Sequence, residues 1–490
     1  MLLALFARTL AFHRDLIHYP YPLDSHEAAQ EVLARGVAAG VSTGDLEQYP
    51  RYADLYGPVY PLLTGLLCRR GFGCSLSDQR LLCALFLGAV LALLAAACRR
   101  AGAGWLETGA ISLWGYELLL INITPTAHPD CLGLLLWFGA LTLPFLVGGA
   151  AWSLAVAAAL VAVAALTKAY FATGALYLAL GLALAGRWEA LRIYAVWQAF
   201  AFGIAGVWLL ALYPYDPTLV LLLSAGSNMT FSVEHLLLQL WVLGIRAAPL
   251  LLPLVAVSLR GDRLVDAGSG SEWGIYGALG LALFIGVFGG ATGALFTYAV
   301  QLALLPVLPW FAATCRRLPS ARGWWVSMLV LNALLTARMA LHGGFSADSV
   351  SSKNWLAVTQ AVAGARRPFV SSDLAAAVSG RGLPVFDTGL SDARRLPPSY
   401  PDGWKARLFP HIGDLYGREQ AFLGEARSAL VDPATDLVIL NPDSPVYFKD
   451  LLDARFRKVG RIQVGYPQVV NVSWLECYVP LAAKKGPGPP

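Results

Sequence analysis

The chain has 490 residues, of which 57% are hydrophobic and 14% charged, with a net charge of +5 and a mean hydropathy of +0.58. This composition excludes an ordinary soluble globule and predicts a polytopic membrane protein. The arginines form short clusters between apolar runs and no continuous basic face, which argues against a nucleic-acid partner.

Crossing a bilayer takes about 20 apolar residues, and the sequence predicts about 11 transmembrane helices on that basis. They lie near residues 1–17, 78–98, 103–121, 130–148, 151–167, 169–186, 193–213, 236–258, 273–290, 294–314 and 323–341. The shorter run from Val59 to Leu67 is predicted to lie at the membrane interface.

Arginines gather in alternate loops, whereas the loops at 122–129 and 214–235 contain no lysine or arginine. By the positive-inside rule, the N-terminus is therefore predicted to be cytoplasmic. The first loop (15–77), the loops near 122–130, 168 and 214–235, and everything after about residue 342 are then predicted to face outward.

The last part of the chain has more charge and proline, and its apolar runs shrink to strand length. Strands are predicted at 367–370, 383–387 and 436–440, separated by helical stretches that fit a parallel sheet. The predicted fold is an all-α transmembrane domain over residues 1–342, followed by a small extracytoplasmic α/β domain over 343–483. A disordered tail is expected over 484–490.

Seven cysteines are scattered without metal-ligand spacing. Cys68 and Cys74 are close enough in sequence to pair, but the pattern predicts no disulfide framework.

Polar residues collect after the first span, where Asp24 and Glu27 are three residues apart with His26 between them. On a helix this spacing places both carboxylates on one face. A compatible interpretation is a capping box, in which Asp24 caps an amphipathic helix over 25–36 and Glu27 occupies its third position.

Two further polar positions are predicted at the same membrane face. Asp130 follows His128 at the mouth of span four, as a helix N-cap or as part of a site. Lys168 is the only lysine among the first 352 residues. It ends an apolar run, so its ammonium either reaches toward water or binds an anion. Acidic groups beside a cation suit a reaction in which a base activates a nucleophile and a phosphate leaves.

Two charges are predicted inside spans, Glu117 in span three and Arg246 in span eight. They are expected to face the bundle interior, either as a structural pair or as ligands of a lipid phosphate. Glu234 and His235 follow the loop 214–233, which is interpreted as a mobile flap or as a helix start.

The ordered set of motifs resembles a family of membrane enzymes. Asp24 and Glu27 after span one, Tyr56 to Leu63, His128-Pro129-Asp130 and Leu166-Thr167-Lys168 are similar to the polytopic GT-C glycosyltransferases. The likeness is to bacterial relatives of the protein mannosyltransferases and aminoarabinose transferases. It covers the membrane region, and the pattern near Phe369 is similar to their small outer domain.

The resemblance implies transfer of a sugar, with inversion, from a polyprenyl-phosphate donor to a lipid, glycan or protein acceptor outside the membrane. It implies that Asp24 is the general base, that Glu27 tunes the base or binds acceptor, and that Asp130 lies at the donor site. It also implies that the segment containing Tyr56 and Tyr60 shapes the lipid-side entrance. His26, Tyr56 and Tyr60 are predicted to contact substrate, and His128 to contact the donor phosphate.

We extend this assignment to Lys168 as the cation that neutralises the donor phosphate. Many relatives have arginine at the position of His128, which here is a cation that titrates near neutrality. A divalent metal (Mg²⁺ or Mn²⁺) is compatible with the reaction, but no residue pattern requires one. The alternatives are a transporter or flippase of lipid-linked sugars, with Glu117, Arg246 and Lys168 along its pathway, and an inactive relative that only binds glycan. Composition favours a bacterial cytoplasmic membrane, and an endoplasmic reticulum membrane is also compatible.

Overall fold

A computed structural model of the chain describes most of residues 1–342, the predicted membrane region, and most of the C-terminal part, which keeps the name outer domain from the prediction. The described residues are 2–23, 25–41, 56–122, 126–212, 271–283, 300–315, 349–383, 385–386, 423–442, 444–464 and 474–481, with short pieces between 233 and 244 and single positions at 326, 330 and 334. Asp24, Arg246, His235 and the side chain of Glu117 lie outside them, as does most of the loop 214–233.

The first part of the described chain is helical. Its helices are α1 (Leu2–His18), α2 (Ser25–Ala38), α3 (Val59–Cys68), α4 (Leu76–Arg100), α5 (Trp105–Asn122), α6 (Pro129–Leu146), α7 (Ala151–Ala165), a 3₁₀ turn (Ala169–Ala172), α8 (Thr173–Leu184), α9 (Trp188–Leu212), α10 (Ser271–Leu283), a π turn (Val300–Leu304) and α11 (Leu305–Cys315). Three described helices are long and apolar enough to cross a membrane: Leu76–Arg100, Pro129–Leu146 and Trp188–Leu209. These support a membrane protein, while the count of about 11 spans stays a prediction.

Local sequence fixes where the helices near the predicted site begin. The Ser75 side chain caps α4 by accepting the backbone N–H of Asp78 at 3.2 Å. Pro129 is the first residue of α6, where its missing N–H costs nothing. His128 is the N-cap residue of this helix, so the interpretation of Asp130 as its N-cap is wrong.

The ends of several helices meet at one end of the bundle. Arg80, in the first turn of α4, binds the carbonyl of Leu16 in the last turn of α1. Asp130, in the first turn of α6, binds Lys168 just beyond the end of α7. At the opposite end of α4, Arg100 lies over the ring of Phe145, near the end of α6. The arginine-bearing turn after α4 and the polar loops are thus at opposite ends of the bundle.

The outer domain contains a five-stranded sheet. Helix α12 (Val350–Gly364) precedes β1 (Pro368–Ser371), a 3₁₀ turn (Ser372–Leu374), α13 (Ala375–Val378) and β2 (Val385–Phe386). A helical stretch over 423–431 leads to β3 (Leu437–Leu440), and then follow a 3₁₀ turn (Ser444–Tyr447), α14 (Lys449–Arg455), β4 (Phe456–Gln463) and β5 (Trp474–Pro480). The strand order is β2-β1-β3-β5-β4.

The sheet is parallel where the sequence predicts it and antiparallel elsewhere. Strand β1 pairs in parallel with β2 and β3, and Phe369 lies opposite Val438. Strand β5 pairs antiparallel with both β3 and β4, which corrects the expectation of a purely parallel sheet. The sequence analysis missed both β4 and β5; the charges of β4, including Arg457 and Lys458, suit an exposed edge.

A single hydrophobic cluster joins the outer domain to the membrane region. Leu16 and Tyr19 from the end of α1 and Val32 from α2 pack with Trp355 of α12 and Val370 of β1. The Tyr21 ring stacks on the ring of Trp355, with centroids 5.8 Å apart. The outer domain therefore packs directly against the segment that leads to the predicted acidic residues.

Candidate functional site

A buried ion pair lies where α6 begins and α7 ends. The Lys168 ammonium is 2.9 Å and 3.0 Å from the two carboxylate oxygens of Asp130, and the Tyr170 hydroxyl donates to the same carboxylate at 3.2 Å. The Lys168 and Asp130 side chains are only 13% and 9% exposed. Such burial strengthens the attraction and makes each charge depend on the other.

Aromatic and imidazole rings surround this pair. The ammonium of Lys168 lies 4.5 Å from the centre of the Tyr56 ring, which is within cation–π distance. The His26 ring packs against the rings of Tyr56 and His128, with ring centroids 5.4 Å and 5.8 Å apart. His128 Nδ1 is 4.0 Å from a carboxylate oxygen of Asp130. We call the set His26, Tyr56, His128, Asp130, Lys168 and Tyr170 the polar cluster.

A close backbone contact places Tyr56 over Lys168. The backbone N–H of Gly57 donates to the Thr167 carbonyl at 3.1 Å, and that of Val59 donates to the Leu166 carbonyl at 3.4 Å. A Cβ atom at residue 57 would lie 1.8 Å from the Leu166 oxygen. Glycine is required at this position because no side chain fits between the two backbones.

Glu27 lies beside the polar cluster but is occupied by protein groups. Its carboxylate accepts the backbone N–H groups of Leu23 and Ala127, each at 2.7 Å, and forms an ion pair with Arg80 at 2.5 Å. Both side chains of this ion pair are fully buried. The Glu27 side chain thus accepts a backbone N–H from Leu23, just before α2, as a capping residue does. It also accepts one from Ala127, in the turn before His128.

A second carboxylate extends this network toward the surface. Glu31 lies one turn after Glu27 on α2 and pairs with Arg35 at 2.5 Å. Burial raises the pKa of the Glu31 carboxyl, although the nearby guanidinium of Arg35 acts in the opposite direction.

The structure brings together five of the eight residues that the sequence assigns to a site: His26, Tyr56, His128, Asp130 and Lys168. Glu27 is adjacent through Ala127. Asp24 lies outside the described residues, between Leu23 and the first residue of α2. Tyr60 is not in the cluster, because its ring is fully buried in the helical core and its hydroxyl is 3.4 Å from the Cys83 sulfur.

Two residues of this region escaped the sequence analysis. Arg80 falls in the first turn of a predicted span, and its charge inside an apolar run was the signal that could have revealed it. Tyr170 had no such signal, because aromatic residues at membrane borders are common anchors.

Cys68 and Cys74 form a disulfide in the turn between α3 and α4. The sequence analysis predicts no disulfide framework, and this pair corrects that prediction. Among the described residues, no group of three or more His, Cys, Asp or Glu side chains is placed to hold a metal ion.

An apolar groove begins next to the polar cluster. It has a volume of about 620 Å³ and runs between α7 and α9. One end is formed by Val59 and Leu166, which share a backbone hydrogen bond. The walls include Ala159, Trp197 and Phe200. The groove therefore starts two residues from Lys168 and continues along apolar helix surfaces.

No family model matches the chain, and no curated protein matches its sequence. The fold is similar to that of ArnT from Cupriavidus metallidurans, in a crystal structure with bound undecaprenyl phosphate, at a TM-score of 0.55 and 14% identity over 99% of both chains. The structure of that protein in the apo state gives the same TM-score and identity over 97% of both chains. The chain therefore shares the fold of ArnT over nearly its whole length, which confirms at the level of fold the resemblance seen in the sequence.

Proposed function

We propose that this protein is an integral membrane glycosyltransferase that transfers a sugar from a polyprenyl-phosphate donor to an acceptor hydroxyl at the outer face of the membrane. The observation that carries the proposal is the polar cluster, in which three separate segments place a lysine, an aspartate and two histidines at one end of the bundle. The fold it shares with ArnT, one structure of which holds undecaprenyl phosphate, supports the same donor class.

In the proposed reaction, Asp24 removes the proton of the acceptor hydroxyl. The acceptor oxygen then attacks the anomeric carbon of the sugar while the bond from that carbon to the phosphate oxygen breaks, so the configuration inverts. The electron pair of the broken bond leaves with the polyprenyl phosphate. Lys168 stabilises the negative charge that develops on this phosphate, as a positioned cation does in phosphate-leaving reactions.

The ion pair with Asp130 is compatible with this role for Lys168. An ammonium has three N–H donors and can bind a carboxylate and a phosphate together. Asp130 holds the ammonium in place before donor arrives, which reduces the cost of ordering a flexible side chain on binding. His128 and His26 supply further N–H groups at the same face.

The apolar groove between α7 and α9 is proposed to hold the polyprenyl chain of the donor. It extends from Leu166 to Ala155, a length of roughly 16 Å at about 1.5 Å per helical residue. Its apolar walls suit a hydrocarbon, and because it begins at Leu166, a chain bound there with its phosphate at that end supports contact of the phosphate with Lys168.

We further propose that the polar cluster and the outer domain face away from the cytoplasm, in a bacterial cytoplasmic membrane. The arginine-bearing turn after α4 lies at the opposite end of the bundle from the cluster, as the positive-inside rule requires. The Cys68–Cys74 disulfide lies at the cluster end of α4, and disulfides persist in oxidising compartments.

Transfer of radiolabelled sugar from a polyprenyl-phosphate donor in membranes tests the proposal. We expect the wild type to incorporate label and Asp24→Asn to lose on the order of 10²- to 10⁴-fold in rate, the usual contribution of a general base. Asp15→Asn is the matched control, because Asp15 lies on α1, outside the polar cluster, and is 39% exposed. Equal incorporation by the wild type and Asp24→Asn would contradict the proposed base.

A further inference from the structure

Arg80 is a fully buried charge whose hydrogen bonds all go to the segment around Asp24. Its guanidinium donates to the carbonyls of Leu16, at 3.2 Å, of Tyr21, at 2.8 Å, and of Tyr19. It also binds both oxygens of the Glu27 carboxylate, at 2.9 Å and 2.5 Å. One side chain on α4 therefore holds the chain from the end of α1 to the first turn of α2.

Glu27 also contacts the turn that precedes α6. The carboxylate oxygen that accepts from Arg80 Nε also accepts the backbone N–H of Ala127, which directly precedes His128. The other oxygen accepts the N–H of Leu23, which directly precedes Asp24. The Glu27 carboxylate thus joins Leu23, which precedes the proposed base, to Ala127, which precedes His128.

We propose that Arg80 and Glu27 are positioning residues, which hold the segment that ends at Leu23 in place relative to the turn at Ala127 on the donor-binding side of the polar cluster. This inference rests on the proposed transfer reaction. Among the described residues, the backbone partners of the pair lie at the end of α1, in the segment from Tyr19 to Leu23 and at Ala127. The guanidinium fork is required because it binds two carboxylate oxygens and three carbonyls at fixed angles, which a lysine ammonium cannot do.

The pair is not explained by stability alone. A buried ion pair contributes little more than apolar side chains of the same size would, because both charges lose their hydration. The ion pair of Arg80 and Glu27 does fix the relative positions of the backbone groups that it binds. Misplacement of a reacting group by about 1 Å can cost on the order of 10²-fold in rate, so a device that fixes this geometry acts on the reaction.

The test compares Arg80→Lys and Glu27→Gln with wild-type full-length protein in detergent micelles. The matched control is Arg35→Lys, which alters the neighbouring ion pair on α2 and leaves the Glu27 carboxylate in place. Two quantities are measured: sugar transfer with kcat and donor KM determined separately, and hydrogen–deuterium exchange of peptides covering 16–28 and 126–132. A peptide from β1 is the internal reference for folding.

We expect both variants to lower kcat at least tenfold with donor KM changed less than threefold, and to speed exchange in both peptides together while the β1 peptide is unchanged. Arg35→Lys should match the wild type in both measurements. If Arg80→Lys does not fold, Glu27→Gln decides, because it keeps the shape of the side chain and removes only its charge.

Unchanged exchange in either peptide overturns the inference, since the pair then does not hold the two segments. A fall in kcat without faster exchange also overturns it, because Arg80 or Glu27 would then act on the reaction in another way. Absence of transfer by the wild type would instead contradict the proposed function. The exchange measurement needs no reaction and still decides whether the pair fixes both segments.

Discussion

At the scale of single residues, Lys168 is the centre of the proposed site. Its ammonium is in contact with a carboxylate and with the faces of two aromatic rings, at 4.5 Å from Tyr56 and 5.6 Å from Tyr170. A lysine that only reached toward water would not need an aspartate at the same depth. These contacts with Asp130, Tyr56 and Tyr170 favour the interpretation that the Lys168 ammonium is positioned to bind an anion.

Replacing this lysine tests its role. Lys168→Met keeps the length of the side chain and removes its charge, so we expect the donor KM to rise and transfer to fall by roughly 10- to 100-fold, as for loss of a hydrogen bond to a charged group. Transfer at varied donor concentration is the measurement. Arg70→Met is the control, since Arg70 is an exposed cation after α3. Equal loss in both variants would assign the effect to net charge.

A contact between His128 and the donor phosphate predicts that transfer depends on pH. An imidazole is cationic below its usual pKa near 6.5 and neutral above it, so its attraction for a phosphate is present at low pH and is lost as pH rises. We expect transfer by the wild type to fall between pH 6 and 9. His128→Arg keeps a cation throughout and should flatten this part of the profile. An identical profile in the two proteins would show that His128 does not contact the phosphate.

At the scale of elements, the turn before α3 depends on Gly57. The segment with Tyr56 approaches the end of α7 so closely that an added Cβ would be 1.8 Å from the Leu166 oxygen. The added Cβ is attached directly to the backbone, and the Leu166 oxygen is itself a backbone atom, so neither can rotate away. One segment must therefore move by on the order of 1 Å, a displacement that can cost ~100-fold in rate.

We therefore expect Gly57→Ala to reduce transfer by at least tenfold, through displacement of Tyr56 from Lys168. The control is Gly109→Ala on α5, where an added Cβ meets nothing within 4 Å and alanine is the better helix former. Transfer rates and thermal unfolding of both variants are measured. Full activity of Gly57→Ala would show that the close approach does not position the site.

The groove between α7 and α9 makes a separate prediction about the donor chain. Ala159 lies in its wall, and Ala159→Phe should fill part of it and raise KM for a long-chain donor by about tenfold, given about 0.8 kcal/mol for each CH₂ group that loses its contact. A donor with a short isoprenoid chain should be unaffected.

Leu176→Phe is the control for this prediction, because Leu176 is 42% exposed on α8 and lines no part of the groove. A KM that rises equally for short and long donors would contradict a groove that holds the chain.

The elements that the sequence predicted best are those whose signal is local. The interfacial helix expected from Val59 to Leu67 is α3, the amphipathic helix expected over 25–36 is α2, and three strands of the outer sheet were predicted. In each case periodicity and turn residues lie within a few positions. Strands β4 and β5 were not predicted, because they lie outside the three apolar runs of strand length and charges cover the exposed edge that β4 forms.

The site could be predicted in part for the same reason. The sidedness of the loops placed His26, His128, Asp130 and Lys168 at one membrane face without any knowledge of packing. That Lys168 pairs with Asp130, that Glu27 is occupied by Arg80, and that Tyr60 turns into the core follow from tertiary contacts. Periodicity cannot show these contacts, since each joins residues from different elements.

At the scale of the whole molecule, the outer domain and the membrane region share one hydrophobic cluster. The Tyr19 hydroxyl is 3.3 Å from the Ser351 hydroxyl, and the Tyr21 ring stacks on Trp355. The carbonyls of the same two tyrosines accept from Arg80. The segment before Asp24 is therefore held by α4 through Arg80 and by α12 through Ser351 and Trp355.

The measurement that tests the central claim most directly is the choice of donor by the purified protein in proteoliposomes that contain membrane-derived acceptors. Labelled sugar is supplied as a polyprenyl-phosphate conjugate or as a nucleotide conjugate, with Lys168→Met alongside the wild type. We predict incorporation by the wild type from the lipid-linked donor alone, and a fall of roughly 10- to 100-fold in Lys168→Met. Incorporation from the nucleotide donor, or movement of the lipid-linked sugar across the bilayer without transfer, would contradict the account.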